Sequence, residues 1–313
     1  MLKKRKQTIG VALGGGGTRG AAHIGVLQAL HRGGIRFDRI VGTSAGAVVG
    51  AMYAATMDPE WIEQRFRDFL VSENFKNLGT DRMVKDRDPH SPMSQIAKKV
   101  RDQFVLIMSM NKTFILKKER LKNAFSFLLP VKTFEELKIS FQVTATDIQT
   151  GEYQIYSSGD LLEAVVQSGS IPGYIEPTYS GDKIIVDGGV GLPNPVSILK
   201  PLVDFTIAVD VKRRIVPDLG DLNIYEILQR SELIGHTKFL DHLLKEADFV
   251  IKPNTMNLHW SQFNYFNELL ENGRKSAEEN LSALKKKIFR HKSPSYRLKQ
   301  WFVRTKQFRY FFT

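Results

Sequence analysis

Ser44 lies in Gly42-Thr43-Ser44-Ala45-Gly46, where small residues flank a hydroxyl. Gly-x-Ser-x-Gly between a strand and a helix is a nucleophile elbow: the sharp turn tolerates little bulk beside the serine and presents its Oγ at a strand end. Ile40-Val41 before the run and Ala45 to Ala55 after it supply the strand and the helix. That helix aims its N-terminal N–H groups and positive dipole end at charge developing on a substrate. The same residues also suit a serine N-cap on an ordinary helix.

A second run, Gly14-Gly15-Gly16-Gly17-Thr18-Arg19-Gly20, follows an apolar strand and opens a helix. Its bare backbone N–H groups can approach a ligand oxygen closely, as an oxyanion hole requires. Gly15-x-Gly17-x-x-Gly20 also fits a dinucleotide fingerprint, with Asp38 as the ribose acid. In that fold the acid ends the second strand, whereas Asp38 precedes it and the far end carries Ser44. No Gly-Lys-Ser/Thr follows, which disfavours a phosphate-cradling P-loop.

A serine nucleophile needs a proton acceptor. None of the seven histidines (His23, His31, His90, His236, His242, His259 and His291) is well placed by sequence; His23, just past the glycine loop, is positioned to orient backbone or Arg19. Asp187 ends the apolar stretch Ile184-Ile185-Val186 and precedes Gly188-Gly189. A carboxylate is a weak base at its ordinary pKa near 4, so this role needs partial desolvation and a direct hydrogen bond to the serine. Asp147 and Asp210 also end strands, the first with an alternative as the cap of the turn Gln149-Thr150-Gly151.

These motifs, in this order and spacing, together with Ala145-Thr146-Asp147 and Gly169-Ser170-Ile171-Pro172-Gly173, resemble the patatin-like phospholipases over roughly residues 8 to 211. The resemblance implies a three-layer α/β/α fold with a mostly parallel central sheet. It also implies a Ser44–Asp187 dyad without histidine, an oxyanion hole from the N–H groups of Gly15, Gly16 and Gly17, and no metal or cofactor. The remaining motif residues, Gly14, Thr18, Arg19, Gly20, Gly42, Gly46, Gly188 and Gly189, shape these loops. The implied activity is ester hydrolysis in phospholipids or other acyl lipids. An acyltransferase or thioesterase with the same acyl-serine, and a catalytically idle membrane-associated scaffold, are the alternatives.

The surrounding pattern supports an α/β architecture, because strand and helix signals alternate along the chain. Strands are expected at Thr8–Leu13, Arg39–Val41, Ile139–Thr146, Glu152–Tyr156, Lys183–Val186, Asp204–Val211 and Asp248–Lys252. Helices are expected at Thr18–His31, Ala45–Ala55, Pro59–Leu70, Leu161–Gln167, Ile224–Lys245 and Gln262–Ile288. The segment from Pro89 to Leu129 reads as helical, with a lid over an acyl pocket or plain packed helices as its roles.

The 313 residues are 42% hydrophobic and carry a net charge of +12. Four cations fall within residues 1–6 and ten within 285–313, leaving 31 basic and 33 acidic residues between them. A nearly neutral body argues against a nucleic-acid groove. The expected division is a catalytic domain over 1–284 and a basic, aromatic tail over 285–313. Trp301, Phe302, Phe308 and Phe312 among its cations suit an anionic membrane surface. No apolar run reaches the roughly 20 residues of a membrane span, and the N-terminus is too short for a signal h-region. The expected location is the cytoplasm, peripheral on the membrane. With no cysteine there is neither a disulfide scaffold nor a thiolate nucleophile.

Overall fold

The computed structural model describes residues 7–79, 113–213 and 224–291. The chain begins with Ile9–Leu13 (β1), Ala21–Arg32 (α1), Arg39–Thr43 (β2), Ala45–Thr56 (α2) and Pro59–Val71 (α3). After a single turn, Glu73–Lys76 (α4), come Lys118–Leu128 (α5), Ser140–Asp147 (β3), Tyr153–Tyr156 (β4) and Leu161–Ser168 (α6). The rest is Thr178–Ser180 (β5), Lys183–Asp187 (β6), Val196–Leu199 (α7), Phe205–Val209 (β7), Ile224–Leu244 (α8), Phe249–Ile251 (β8) and Phe266–His291 (α9).

The strands form one sheet in the order β5-β6-β3-β2-β1-β7-β8, with β4 also paired to β3. β3, β2, β1, β7 and β8 are parallel, while β4 and β6 run antiparallel to β3 and β5 antiparallel to β6. Parallel neighbours need crossover connections, and helices supply them on both faces. Val11 sits between Ile40 and Ile207, and all three join the larger apolar cluster with residues of α1, α2, α3 and α9. Ala12 sits between Val41 and Ala208 on the other face, against Val196 and Leu199 of α7 and Leu240 and Leu244 of α8. Burial on both faces explains why β1 and β7 read as nearly continuous apolar runs, broken in β7 only by the buried Thr206. The architecture is the expected three-layer α/β/α with a mostly parallel sheet.

The expected elements recur with small shifts at their ends. Three were not anticipated: β5, a three-residue edge strand, and the one-turn helices α4 and α7 are too short to carry a period. Of the segment 89–129, residues 89–112 lie outside the described residues, and α5 is its one described helix. The last helix runs without a break through Lys285 to His291, and the tail residues 292–313 lie outside the described residues, as do residues 1–6. At the end of α9 the His291 ring packs edge-on against Phe205, and Gln7 Nε2 donates to its Nδ1 at 3.4 Å. Among the described residues, no helix is long and apolar enough to cross a membrane.

Candidate active site

The parallel strands β1, β2 and β7 end on one edge of the sheet, and the chemistry-bearing residues collect there. Between β2 and α2 the chain reverses at Ser44, with φ 54° and ψ −121°. A residue with a side chain holds such a conformation only where its surroundings over-determine it. Here the Ser44 carbonyl accepts the N–H groups of Ala47 (2.8 Å) and Val48 (3.1 Å), and its own N–H donates to Ser168 Oγ at 2.8 Å. Gly46 lets α2 settle on the end of β1: a Cβ there would lie 2.1 Å from the Leu13 carbonyl oxygen. Gly42 faces the Gly46 carbonyl across the same turn.

The register brings the second group in. Thr43 pairs with Thr144, and the next residue of β3, Ala145, pairs with Asp187 at the end of β6. Ser44 Oγ donates to Asp187 Oδ2 at 2.6 Å, and Asp187 Oδ1 accepts the Gly189 N–H at 2.6 Å. The loop after Asp187 is pressed onto β3, since a Cβ on Gly188 would lie 2.2 Å from the Thr144 carbonyl oxygen. Ser44 and Asp187 keep only 8% and 6% of their surface in contact with solvent. That burial raises the Asp187 carboxyl from 3.8 to about 6, against the opposing pull of the Ser44 and Gly189 hydrogen bonds and the Lys212 charge. At neutral pH the group is ionised, yet its proton affinity is well matched to accepting a proton.

Of the three glycines expected to face a substrate oxygen, Gly15 is corrected: its N–H donates to the Pro193 carbonyl at 2.9 Å and is already engaged. Gly14 likewise donates to Val209 at 3.3 Å. The N–H groups of Gly16 and Gly17 have no acceptor among the described residues. Gly15 nevertheless packs directly under Ser44, where a Cβ would sit 3.4 Å from the serine Cβ. Gly20 leaves room for the elbow, as a Cβ there would lie 2.7 Å from that of Ala45. Thr18 donates its N–H to the Trp260 carbonyl at 2.8 Å.

Arg19 anchors the loop from inside. Its Nε donates to the Gly16 carbonyl and its Nη1 to the Leu258 carbonyl, both at 3.0 Å. Burial, with Arg213 nearby, lowers its pKa to about 10, so it stays charged. His23 is fully buried and held near 4 by that burial. It is therefore neutral, and its Nε2–H donates to the Gly14 carbonyl at 2.8 Å.

The other acids near strand ends have other partners. Asp147 holds its own turn, accepting from Gln149 N–H, Thr150 Oγ1 and Ile184 N–H. Asp210 accepts the Lys212 N–H. Asp38 lies at the opposite edge, where its carboxylate accepts the Ile9 N–H at the start of β1 at 2.8 Å, far from where a cofactor ribose would lie. Among the described residues no histidine is hydrogen-bonded to Ser44, and no cluster of His, Asp and Glu is arranged to hold a metal ion.

Two contributors carried no local signal. Ser168 ends an ordinary helix, and only the folded chain brings it to the elbow. Lys212, half-buried in the loop three residues past β7, is pushed down to about 8 by burial and by the charge of Arg19. His236, one of the helix histidines, reaches the Gly189 carbonyl with Nε2 at 2.7 Å.

Ser44 opens onto a pocket of about 110 Å³. Gly17, Thr18 and Ala45 flank the serine, and Phe66, Leu121, Phe125, Ile171, Trp260 and Phe263 supply apolar walls. α5 is a packed helix that forms one of these walls. The volume is of the order of the ~150 Å³ apolar cavity that admits benzene, enough for a short run of methylenes.

The chain resembles known proteins over much of its length. A family model described as patatin-like phospholipase matches residues 11–200, more than half of the chain. An uncharacterized NTE family protein of Mycobacterium tuberculosis is 32% identical over 215 residues, covering 68% of this chain and 32% of the relative. A patatin-like phospholipase domain-containing protein of Caenorhabditis elegans is 27% identical over 300 residues, covering 87% of this chain and 20% of the relative. The chain thus spans a third or less of the length of these two relatives. Human GIVD cytosolic phospholipase A2, solved with a methyl gamma-linolenyl fluorophosphonate inhibitor, shares the fold at 11% identity with a TM-score of 0.50, over 91% of this chain and 59% of that one. By the extent of the family match and the elbow, glycine loop and Asp-Gly-Gly turn it contains, the chain belongs to the patatin-like phospholipase family.

Proposed function

We propose that the protein is a lipid acyl hydrolase that works through an acyl-enzyme on Ser44. The observation that carries this reading is the 2.6 Å bond from Ser44 Oγ to Asp187 Oδ2 at the mouth of an apolar pocket. As Oγ attacks the acyl carbonyl carbon, its proton passes to Asp187 Oδ2 and the carbonyl oxygen becomes an oxyanion. The free amides of Gly16 and Gly17 and the N-terminus of α2 stabilise that charge. Collapse breaks the ester bond, and the departing alkoxide takes the proton from Asp187. Water then attacks the acyl carbon, losing a proton to Asp187, and the released acid leaves Ser44 Oγ reprotonated.

The apolar walls suit a fatty acyl chain, so the substrate class is an acyl-ester lipid, phospholipids included. The expected boundary at 284/285 moves to the end of α9: the catalytic unit runs through His291, which packs on Phe205, and the cations and aromatics of 292–313 suit contact with an anionic membrane surface. The protein acts in the cytoplasm and peripherally on that membrane. The test is labelling by a fluorophosphonate probe and release of fatty acid from lipid esters: Ser44→Ala is expected to abolish both, and labelling that persists in this variant overturns the assignment. Asp187→Asn is expected to lower turnover roughly 10²–10⁴-fold, and a loss under about threefold removes Asp187 as the base.

A further inference from the structure

We infer that Ser168 is a positioning residue that fixes the Ser44–Asp187 geometry from beneath; the inference rests on the dyad reading above. The elbow leaves the Ser44 N–H beyond the end of the sheet ladder, whose last β2–β3 pair is Thr43 with Thr144. Ser168 Oγ accepts that N–H at 2.8 Å and donates its own proton to the Thr144 carbonyl at 2.7 Å. One hydroxyl therefore ties the strained Ser44 peptide to the strand that also carries the register of Asp187.

The same short segment holds the acid. The Ser168 carbonyl accepts the Gly188 N–H at 3.2 Å, and the Ser170 carbonyl accepts the Asp187 N–H at 2.8 Å. Thr144 O, the acceptor for Ser168, is also the atom against which Gly188 is pressed. Peptides 143 residues apart in sequence thus meet on residues 168–170.

Ser168 and Ser170 are both fully buried, but their hydroxyls differ. Ser170 Oγ donates to the Val166 carbonyl within its own helical turn, at 2.8 Å, and touches neither member of the dyad. Burial and residue type are matched between the two serines, and only Ser168 holds the elbow. Without the Ser168 oxygen, the Ser44 N–H is left buried without an acceptor, and the φ 54° conformation loses one of the bonds that over-determine it.

The experiment compares Ser168→Ala, Ser168→Thr and Ser170→Ala in the full chain, by rate of fluorophosphonate labelling, by kcat and KM on a soluble ester, and by melting temperature. Ser168→Ala is expected to label roughly 10- to 100-fold more slowly, the scale of a misplaced reacting atom, with the loss in kcat and KM little changed. Ser168→Thr, which keeps the hydroxyl, is expected to recover most of the rate. Ser170→Ala is expected to label at nearly the wild-type rate. The inference is overturned if folded Ser168→Ala labels within threefold of wild type, or if Ser170→Ala loses as much. It is also overturned if the threonine variant recovers nothing, or if Ser168→Ala fails to fold while Ser170→Ala folds, since the bond then serves the fold and not the dyad. Failure of the dyad reading looks different: Ser44→Ala then labels like wild type whatever residue stands at 168.

Discussion

Replacing Asp187 by asparagine is expected to stabilise the fold while sharply lowering the activity. Burial raises the Asp187 carboxyl from 3.8 to about 6, so the folded state binds its proton more tightly than the unfolded chain does. Between those two values the native protein carries more protons than the unfolded one, and stability falls as pH rises through that window. Above about 6 the whole cost is present: a shift of about two pKa units corresponds to about 3 kcal/mol, order of magnitude, at 1.36 kcal/mol per unit. The asparagine side chain has no charge to desolvate and is nearly the same shape. The variant should therefore be more stable than wild type by about that amount at pH 7, or roughly 6 °C in melting temperature, and the advantage should vanish below about pH 4.

The assay is chemical or thermal unfolding of both proteins across that range, read as a difference. Differencing matters because His23 works in the opposite sense. Its value is lowered to about 4 by burial, so the stability it contributes is present above its unfolded value of 6.5 and lost as pH falls toward 4. That contribution is common to both proteins and cancels. A difference that is absent at pH 7, or that does not change with pH, would refute the claim that Asp187 is held ionised at a cost to the fold.

Three further outcomes follow from the geometry. The rate of ester hydrolysis is expected to climb tenfold per pH unit up to about 6 and to level above it, because the ionised Asp187 accepts the serine proton; a midpoint below about 4.5 on a soluble ester, the range of an exposed carboxylate, contradicts this. Arg19→Lys is expected to slow hydrolysis of phospholipids and neutral esters alike, roughly tenfold, since a lysine cannot span the Gly16 and Leu258 carbonyls as the guanidinium fork does; a loss confined to phospholipids would assign Arg19 to the substrate phosphate instead. Leu121→Trp is expected to fill the apolar pocket and shift preference toward shorter acyl chains, at roughly fourfold in kcat/KM for each methylene excluded, measured on an ester series; an unchanged chain-length profile removes that wall from the acyl site.

The alternation of apolar runs and amphipathic stretches exposed most of the fold, because burial on both faces leaves little ambiguity about strands such as Ile9–Leu13 and Phe205–Val209. Elements of three or four residues, β5 and α7, have too few positions to establish a period. Ser44 and Asp187 were legible because each sits where a strand must turn beside glycines, and the turn chemistry is local. The fate of each glycine N–H was not. Whether Gly15 faces a substrate or the Pro193 carbonyl depends on a loop almost 180 residues away. Ser168 and Lys212 were hidden for the same reason: a helix-ending serine and a loop lysine acquire meaning only from what tertiary structure sets beside them.

The place where α9 stops has a geometric consequence. His291 meets Gln7 and Phe205, which lie at the beginnings of β1 and β7, whereas Ser44 lies past the end of β2. The length of the sheet along its strands, roughly 16 Å for five residues, separates the end of α9 from the serine. α9 therefore closes the end of the strands opposite the serine. Its last turn takes no part in the wall of the site, whose α9 contribution comes from Phe266 at the helix start.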